Sequence, residues 1–273
     1  MLKLEWPDLK GLAIIILISA FFIDSLLIEP NRLVVTENRF ELLEGNSPVR
    51  IVLVSDIHIG TQSEGYLEGV VMRINSLQPD IVLIDGDSIE EKDSELEWLS
   101  PLAGIDAPAY AVLGNHDYGA WGCPAFEGVS GKVEARFEEL GIAVLRNEHE
   151  MLDVRGSRFA LIGVDDIWSC MNNYSMASEG VPDDMPKVIL VHNNLGVKPE
   201  EVKGPGLVLA GHTHCGQVRV PFITEFVMGP GFGSVLGGRG RLDNDTEIYV
   251  TCGVTSGGIR FLTNPEISVI EIE

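Results

Sequence analysis

The sequence predicts an α/β protein in which two sheets pack in layers, preceded by one apolar N-terminal helix. Three observations predict it. Short apolar runs rich in β-branched residues alternate with helical spacing early in the body, then follow one another with little helix between them. The stretch from Gly11 to Ile28 carries one charge, Asp24. Side chains able to bind metal cluster just after the apolar runs, where a layered α/β fold gathers its ligands.

The N-terminal run reads GLAIIILISAFFIDSLLI. A spanning helix needs about 20 apolar residues, with a range near 17–25, so the run is just long enough. A cleaved signal peptide would be shorter and end in a small-x-small site. Here Ala20 is followed by Phe21, Phe22, Ile23 and Asp24. Residues 1–28 are therefore expected to form a membrane anchor. Lys3, Lys10 and the start amine precede the run, and Arg32 and Arg39 follow it. The positive-inside rule then favours a cytoplasmic N-terminus, with the body on the outer face of the cytoplasmic membrane. Pro30 stops the run. Residues 29–47 are expected to be a connector, and residues 48–273 one domain.

Within that domain Arg50–Ser55 reads as a buried strand. Leu67, Val70, Val71, Ile74 and Leu77 give helical spacing over residues 65–77. Ile81–Ile84 and Ala109–Leu113 read as further strands. Residues 85–97 between them hold seven acids and one lysine, which suggests a solvated loop or helix start. Residues 131–140 look like an amphipathic helix. Seven strands are then expected, at Met151–Val154, Phe159–Val164, Val188–Val191, Leu207–Ala210, Val218–Val220, Ile248–Thr251 and Ile267–Ile272.

Composition narrows the partners. The 273 residues carry 41 acids against 19 lysines and arginines, a net charge of -22. Bulk nucleic acid is excluded, because a phosphate backbone selects a basic face. Apolar residues make up 45% of the chain, too many for a disordered acidic tail. Four cysteines in this length do not make a disulfide scaffold.

Five of the six histidines fall at or near expected strand ends: His58, His116, His192, His212 and His214. Only His149 lies outside this set. Residues two apart in extended chain point to one side, so Asp56 with His58, and His212 with His214, can each grip one ion. Gly60, Gly86, Gly114 and Gly211 allow tight turns beside them. A donor set of carboxylate, imidazole and amide oxygen suits Mn, Fe, Zn or Co and is too imidazole-rich for calcium or magnesium.

The ordered blocks DIH (56–58), GD (86–87), GNHD (114–117), His192 and GHTH (211–214) resemble the calcineurin-like metallophosphoesterase superfamily. EPNRL (29–33), GVDDIW (163–168) and the ending GGIRFLTNPEISVIEIE (257–273) are similar to its membrane-anchored or exported bacterial branch, the YkuE/YaeI-like phosphodiesterases. The resemblance covers essentially the whole chain. It implies a four-layer α/β/β/α sandwich of two mixed sheets. It also implies two divalent ions, one held by Asp56, His58 and His214, the other by Asn115, His192 and His212, with Asp87 bridging both. Asn115, His116 and Arg260 would contact the substrate, a small phosphate ester or a phospholipid-like molecule. His116 would protonate the leaving oxygen and Asp117 would orient it. Hydroxide held by the ions would cleave a phosphomonoester or phosphodiester. Two alternatives stay open: a pyrophosphatase of a UDP-linked diacylglucosamine, needing the opposite orientation, and a metal-stabilised scaffold without hydrolysis. Every ligand position is filled here.

The chain departs from the family pattern at Cys215, at Cys252 and at Asp85, an acid where a neutral residue is more usual. Cys215 replaces a glycine of GHTHGGQ, and Cys252 stands in YVTCG where the family often has arginine. Four cysteines allow three full pairings; free buried thiols are the plainer reading, and an exported domain permits a Cys215–Cys252 bond. Asp85 reads as a hydrogen-bonded turn residue. Gly229–Gly240 lacks the P-loop ending and reads as a loop over the site rim, with Arg239 or Arg241 as candidate anion contacts. Phe222, Phe226 and Phe232 are expected in the core, or lining an apolar subsite.

Overall fold

The computed structural model describes residues 9–43, 47–61, 64–90, 92–119, 123, 128–233, 235–242, 246–255 and 258–273. Lys3 and the start of the anchor, residues 44–46 of the connector, Glu91 of the acidic stretch and Ser234 of the glycine-rich run lie outside the described residues.

The first sheet is built from β1 (Val34–Phe40), β2 (Val49–Ser55), β3 (Ile81–Asp85), β4 (Ala109–Val112) and β5 (Ala143–Val144). The second uses β6 (Glu148–Val154), β7 (Ser157–Val164), β8 (Lys187–Val191), β9 (Gly206–Ala210), β10 (Gly238–Arg241) and β11 (Glu247–Val250). The last strand, β12 (Glu266–Ile272), returns to the first sheet, giving the orders β1-β12-β2-β3-β4-β5 and β10-β11-β9-β8-β7-β6. Both sheets are mixed. β2 through β5 run parallel, as do β7, β8, β9 and β11, while β12–β2, β6–β7 and β10–β11 are antiparallel.

Strand alternation sorts the core into layers. On β2, Ile51 and Leu53 face the second sheet and pack with Phe159, Leu161, Leu190 and Leu209. Val52 and Val54 face outward, onto α2 (Glu64–Ser76) and α3 (Ser130–Glu139). α2 offers Leu67, Val70, Val71 and Ile74, the stripe its spacing predicts. On the far side, Ile162, Ile189 and Val208 pack under α4 (Tyr174–Ala177). The result is helix, sheet, sheet, helix, preceded by α1 (Leu9–Ile23). α1 runs on through a π turn and a 3-10 turn to make a helix over Leu9–Asn31, by length and composition apolar enough to cross a membrane, with its buried residues Ser25, Glu29 and Pro30 all toward its C-terminal end.

Several expectations change. Residues 34–40, placed in the connector, form β1 and pair in register with β12. Val218–Val220 makes only a single bridge, Val218 to Phe261, because its chain turns at once into α5 (Ile223–Phe232). The glycine-rich run is divided between the end of α5 and β10, which pairs with β11. The acidic stretch is not all solvated: Asp85, Asp87 and Glu95 are buried. Glu95 accepts the Glu90 N–H at 2.8 Å, so its charge is spent on a turn. All four cysteines are paired, Cys123 with Cys170 and Cys215 with Cys252, so the thiols are not free.

Candidate metal centre

The parallel strands end on one edge, and the expected ligands follow those ends. Asp56 follows β2, Asp87 follows β3, Asn115 follows β4, His192 follows β8, and His212 and His214 follow β9. Three groups result among the described residues, each with ligand atoms within 4.8 Å of one another: Asp56, His58 and His214; Asp87, His192 and His212; and His58, Glu90 and His116. The groups are adjacent. Asp56 Oδ1 is 3.5 Å from His214 Nε2 and 4.0 Å from His192 Nε2; Asp87 Oδ2 is 3.0 Å from His192 Nε2 and 3.8 Å from His58 Nε2.

Each carboxylate spends one oxygen on the protein and aims the other inward. Asp56 Oδ2 accepts from Ser55 Oγ at 2.7 Å and His212 N at 3.2 Å. Asp87 Oδ1 accepts from His116 N at 2.8 Å. His192 Nδ1 donates to Asp85 O at 2.7 Å, which leaves Nε2 as the inward lone pair.

Asp56 and His58 fall in one group, but His212 and His214 are divided between the two, so that pair does not grip one ion, and neither spacing acts through extended chain. Asp56, His58, Asp87, His212 and His214 have φ of 53°, 43°, 49°, 66° and 48°. Left-handed turns, not strand alternation, point these side chains inward. Gly86, at φ 68°, permits the turn under His192, and a Cβ there would meet the His192 ring at 2.7 Å.

The residues fit divalent cations. Buried Asp56 Oδ1, Asn115 Oδ1, His58 Nε2, His192 Nε2 and His212 Nε2 have no hydrogen-bond partner among the described residues. Buried polar atoms are normally paired, so five converging orphans mark a place for a cation. The electrostatics agree. Burial pushes Asp56 up, but His214, His192 and His58 outweigh it and hold it below the usual carboxylate range. Burial likewise opposes charge on His192, yet Asp87 raises it well above the ordinary imidazole value. A proton is drawn to where a cation would serve. Burial pushes His212 down to about 3 and His214 to about 4, keeping both neutral and able to ligate. Burial pushes Asp85 up to about 8, so it is a neutral acid beneath the cluster rather than a turn anion.

Beside the ligands, His116 meets His58 edge-on at 4.8 Å. Its Nδ1 donates to Glu90 O at 2.9 Å, so that carbonyl orients the ring. Asp117, expected in that role, instead accepts from Ser88 N at 2.9 Å and Gly114 N at 3.0 Å, tying the β3 and β4 loops together. Arg260 has a different place from the one expected. It is fully buried, with Nη1 donating to Thr263 O at 2.9 Å and Nη2 to Cys252 O at 2.8 Å and to Thr255 O. Both Nη atoms brace the turn under the site, and only the buried Nε lacks a hydrogen-bond partner among the described residues. Arg239 is also elsewhere, over the Phe40 ring and donating to Arg39 O at 3.0 Å. Asn115 sits at the cluster edge. His149 donates from Nδ1 to Ala177 O at 2.8 Å and stays outside it.

Two site neighbours escaped the sequence reading. Glu90 Oε1 is 3.1 Å from His58 Nδ1, a carboxylate behind a ligand imidazole. Trp168 lies edge-on to His212 at 4.2 Å, with Phe232 at 5.7 Å from both rings. The GVDDIW block could have marked Trp168; no local signal separated Glu90 from the acids around it. A cavity lined by Phe40, Gly206, Leu207, Arg239 and Glu273 lies at the opposite end of β9 and takes no part.

The family model of the calcineurin-like phosphoesterase matches residues 49–216, the span that carries every ligand above. The chain belongs to the calcineurin-like phosphoesterase family. Its domain is that of a metal-dependent phosphoester hydrolase. The chain is 32% identical over 268 residues to the transmembrane protein with metallophosphoesterase domain of Danio rerio, covering 90% of this chain and 58% of that protein. It is 27% identical over 258 residues to the uncharacterized metallophosphoesterase YkuE of Bacillus subtilis, covering 90% and 87%. With the phosphodiesterase YaeI of Escherichia coli the identity is 28% over 258 residues, covering 89% and 90%. The chain thus spans less than two thirds of the zebrafish relative. Two of its departures from the family pattern meet in one bond, Cys215–Cys252, next to His214.

Proposed function

We propose that this protein is a membrane-anchored phosphoesterase that uses two divalent ions to hydrolyse a small phosphomonoester or phosphodiester. One observation carries the reading: two adjacent ligand groups whose inward buried atoms lack partners. Asp56, His58 and His214 would hold one ion, Asn115, His192 and His212 the other, and Asp87 Oδ2 would be shared. Mn, Fe, Zn and Co suit these donors. Bound ions would polarise the phosphoryl oxygens and lower the pKa of a bound water. His116, oriented through Nδ1 by Glu90 O, would as an imidazolium pass its Nε2 proton to the leaving oxygen and end as the neutral ring. Asn115 is the second substrate contact. The YaeI relative's name, a phosphodiesterase, supports the reaction class.

Anchoring is supported by the apolar helix and by the zebrafish relative's name. The catalytic domain is assigned to the outer face of the cytoplasmic membrane. Lys10 before the apolar run supports that orientation, and so do two disulfides that use all four cysteines, since such bonds persist in oxidising compartments.

Metal analysis joined to a panel of mono-, di- and pyrophosphate substrates tests the site and reaction together. Asp87→Asn should lose bound metal and reduce hydrolysis of bis(p-nitrophenyl) phosphate by orders of magnitude. His116→Ala should lose comparable turnover yet keep its metal. Unchanged turnover in either purified variant would sink the mechanism.

A further inference from the structure

The C-terminal end of the anchor is tied into the domain. Phe21 packs edge-on to Phe261 at 4.9 Å. Arg260 N donates to Ser25 O at 2.9 Å, and Thr263 N donates to the Glu29 carboxylate. The same segment pairs with the chain leaving the metal ligands: Phe261 N donates to Gln217 O, and Arg219 N to Phe261 O, both at 2.9 Å. That chain leads directly into α5.

α5 leaves much of its apolar surface uncovered. Phe222 is 89% exposed, Phe226 83%, Val227 68% and Ile223 60%. Ile223, Phe226 and Val227 share one helix face, and Phe222 stands at the turn just before it. Leu262, which follows the Phe261 bridged to Val218 ahead of α5, is 58% exposed. Phe222 and Leu262 have φ of 68° and 57°, a region bulky residues avoid, so turns hold these side chains out. Only two charged residues occur from 218 to 232, Arg219 and Glu225, and they pair with each other at 3.1 Å. Scattered exposed apolar residues are ordinary; a contiguous patch marks an interaction surface. The core expected for Phe222 and Phe226 is thus not where they are.

We propose that α5 and the 259–262 turn rest in the headgroup region of the bilayer that α1 crosses, as a second membrane contact. This rests on reading α1 as a membrane span. The bilayer is the occupant because the patch is continuous with the point where α1 leaves it. Interfacial helices of this kind lie in the plane with the apolar face down. Phe232, at the far end of α5, packs on His212 and Trp168. Seating α5 therefore fixes the metal centre close to the headgroup plane.

The test uses the full chain in phosphatidylcholine–phosphatidylglycerol nanodiscs, with a nitroxide on one introduced cysteine. The native cysteines are all paired, so only the new thiol is labelled. Labels replace Ile15 in α1, Phe222, Phe226, or Met72 on α2. Power saturation compares access of oxygen and of a water-soluble nickel chelate. Ile15 should lie deep, Phe222 and Phe226 shallow but within the lipid, and Met72 in water. Labels at 222 and 226 as open to nickel as Met72, with Ile15 deep, would overturn the second contact alone. Dipolar broadening at 226 would mean a second copy covers the patch, which also overturns it. Ile15 in water would overturn the anchor reading and this one with it.

Discussion

A methyl group at Gly114 tests the metal centre without removing a ligand. A Cβ there would stand 2.2 Å from Asp87 Oδ1, 2.5 Å from Asp87 N and 2.7 Å from His192 Cδ2. Ordinary contact begins at 3.4 Å, so the carboxylate or the loop after β4 must retreat by 3.4 - 2.2 = 1.2 Å. Rotating the Asp87 side chain cannot relieve the backbone contact. Overpacking of this kind costs about 1–3 kcal/mol of stability, and misplacing a reacting group by about 1 Å can cost roughly 100-fold in rate. Gly114→Ala is therefore expected to hydrolyse bis(p-nitrophenyl) phosphate at least about 100-fold more slowly, with less metal bound. Gly69→Ala on α2 is the matched control. Nothing lies within 4 Å of its Cβ, so it should gain up to about 1 kcal/mol and keep its activity. Wild-type turnover and full metal content in Gly114→Ala would refute the packing argument.

Glu90→Gln should lower metal affinity about 10- to 100-fold, because Glu90 Oε1 backs the His58 imidazole; titration with Mn or Zn monitored by calorimetry checks this. Cys252→Ser should lower unfolding free energy by up to about 4 kcal/mol, the chain-entropy value for a separation of 37 residues. Urea unfolding without reductant measures it, and an unchanged midpoint would mean the bond does not form.

The place of the candidate site was legible because its strands are. β2, β3, β8 and β9 are buried on both faces and read as continuous apolar runs, so their carboxyl ends, and the ligands just beyond, can be counted along the chain. β1 was not legible. Its VVTENRF is polar and only partly buried, and its strand character comes from pairing with β12, more than 200 residues later. Whether Cys215 and Cys252 pair was left open for the same reason. Val250 pairs with Ala210 across β11 and β9, which brings the loops bearing Cys252 and Cys215 together, and sheet order is not a local property of sequence. Arg260 misled in another way. An arginine in a family motif suggests an anion, whereas both Nη atoms of this one are spent on carbonyls that only the folded turn assembles, with Nε alone left unpaired among the described residues.

The ligand backbones explain why the two-residue spacing works at all. Five left-handed ligand residues cost roughly 1–2 kcal/mol each, less for Asp and His than for branched residues. The folded chain tolerates this because the turns are cross-tied: Asp56 holds His212 N, and Asp87 holds His116 N. Each tie uses the carboxylate oxygen that faces away from the cluster. The strain and the ligand direction therefore share one cause, and neither can relax without moving a donor atom. A cation bound to the folded site, and not to the unfolded chain, would stabilise that arrangement by mass action. The metal-free protein should accordingly be the less stable form, with its deficit concentrated in these turns.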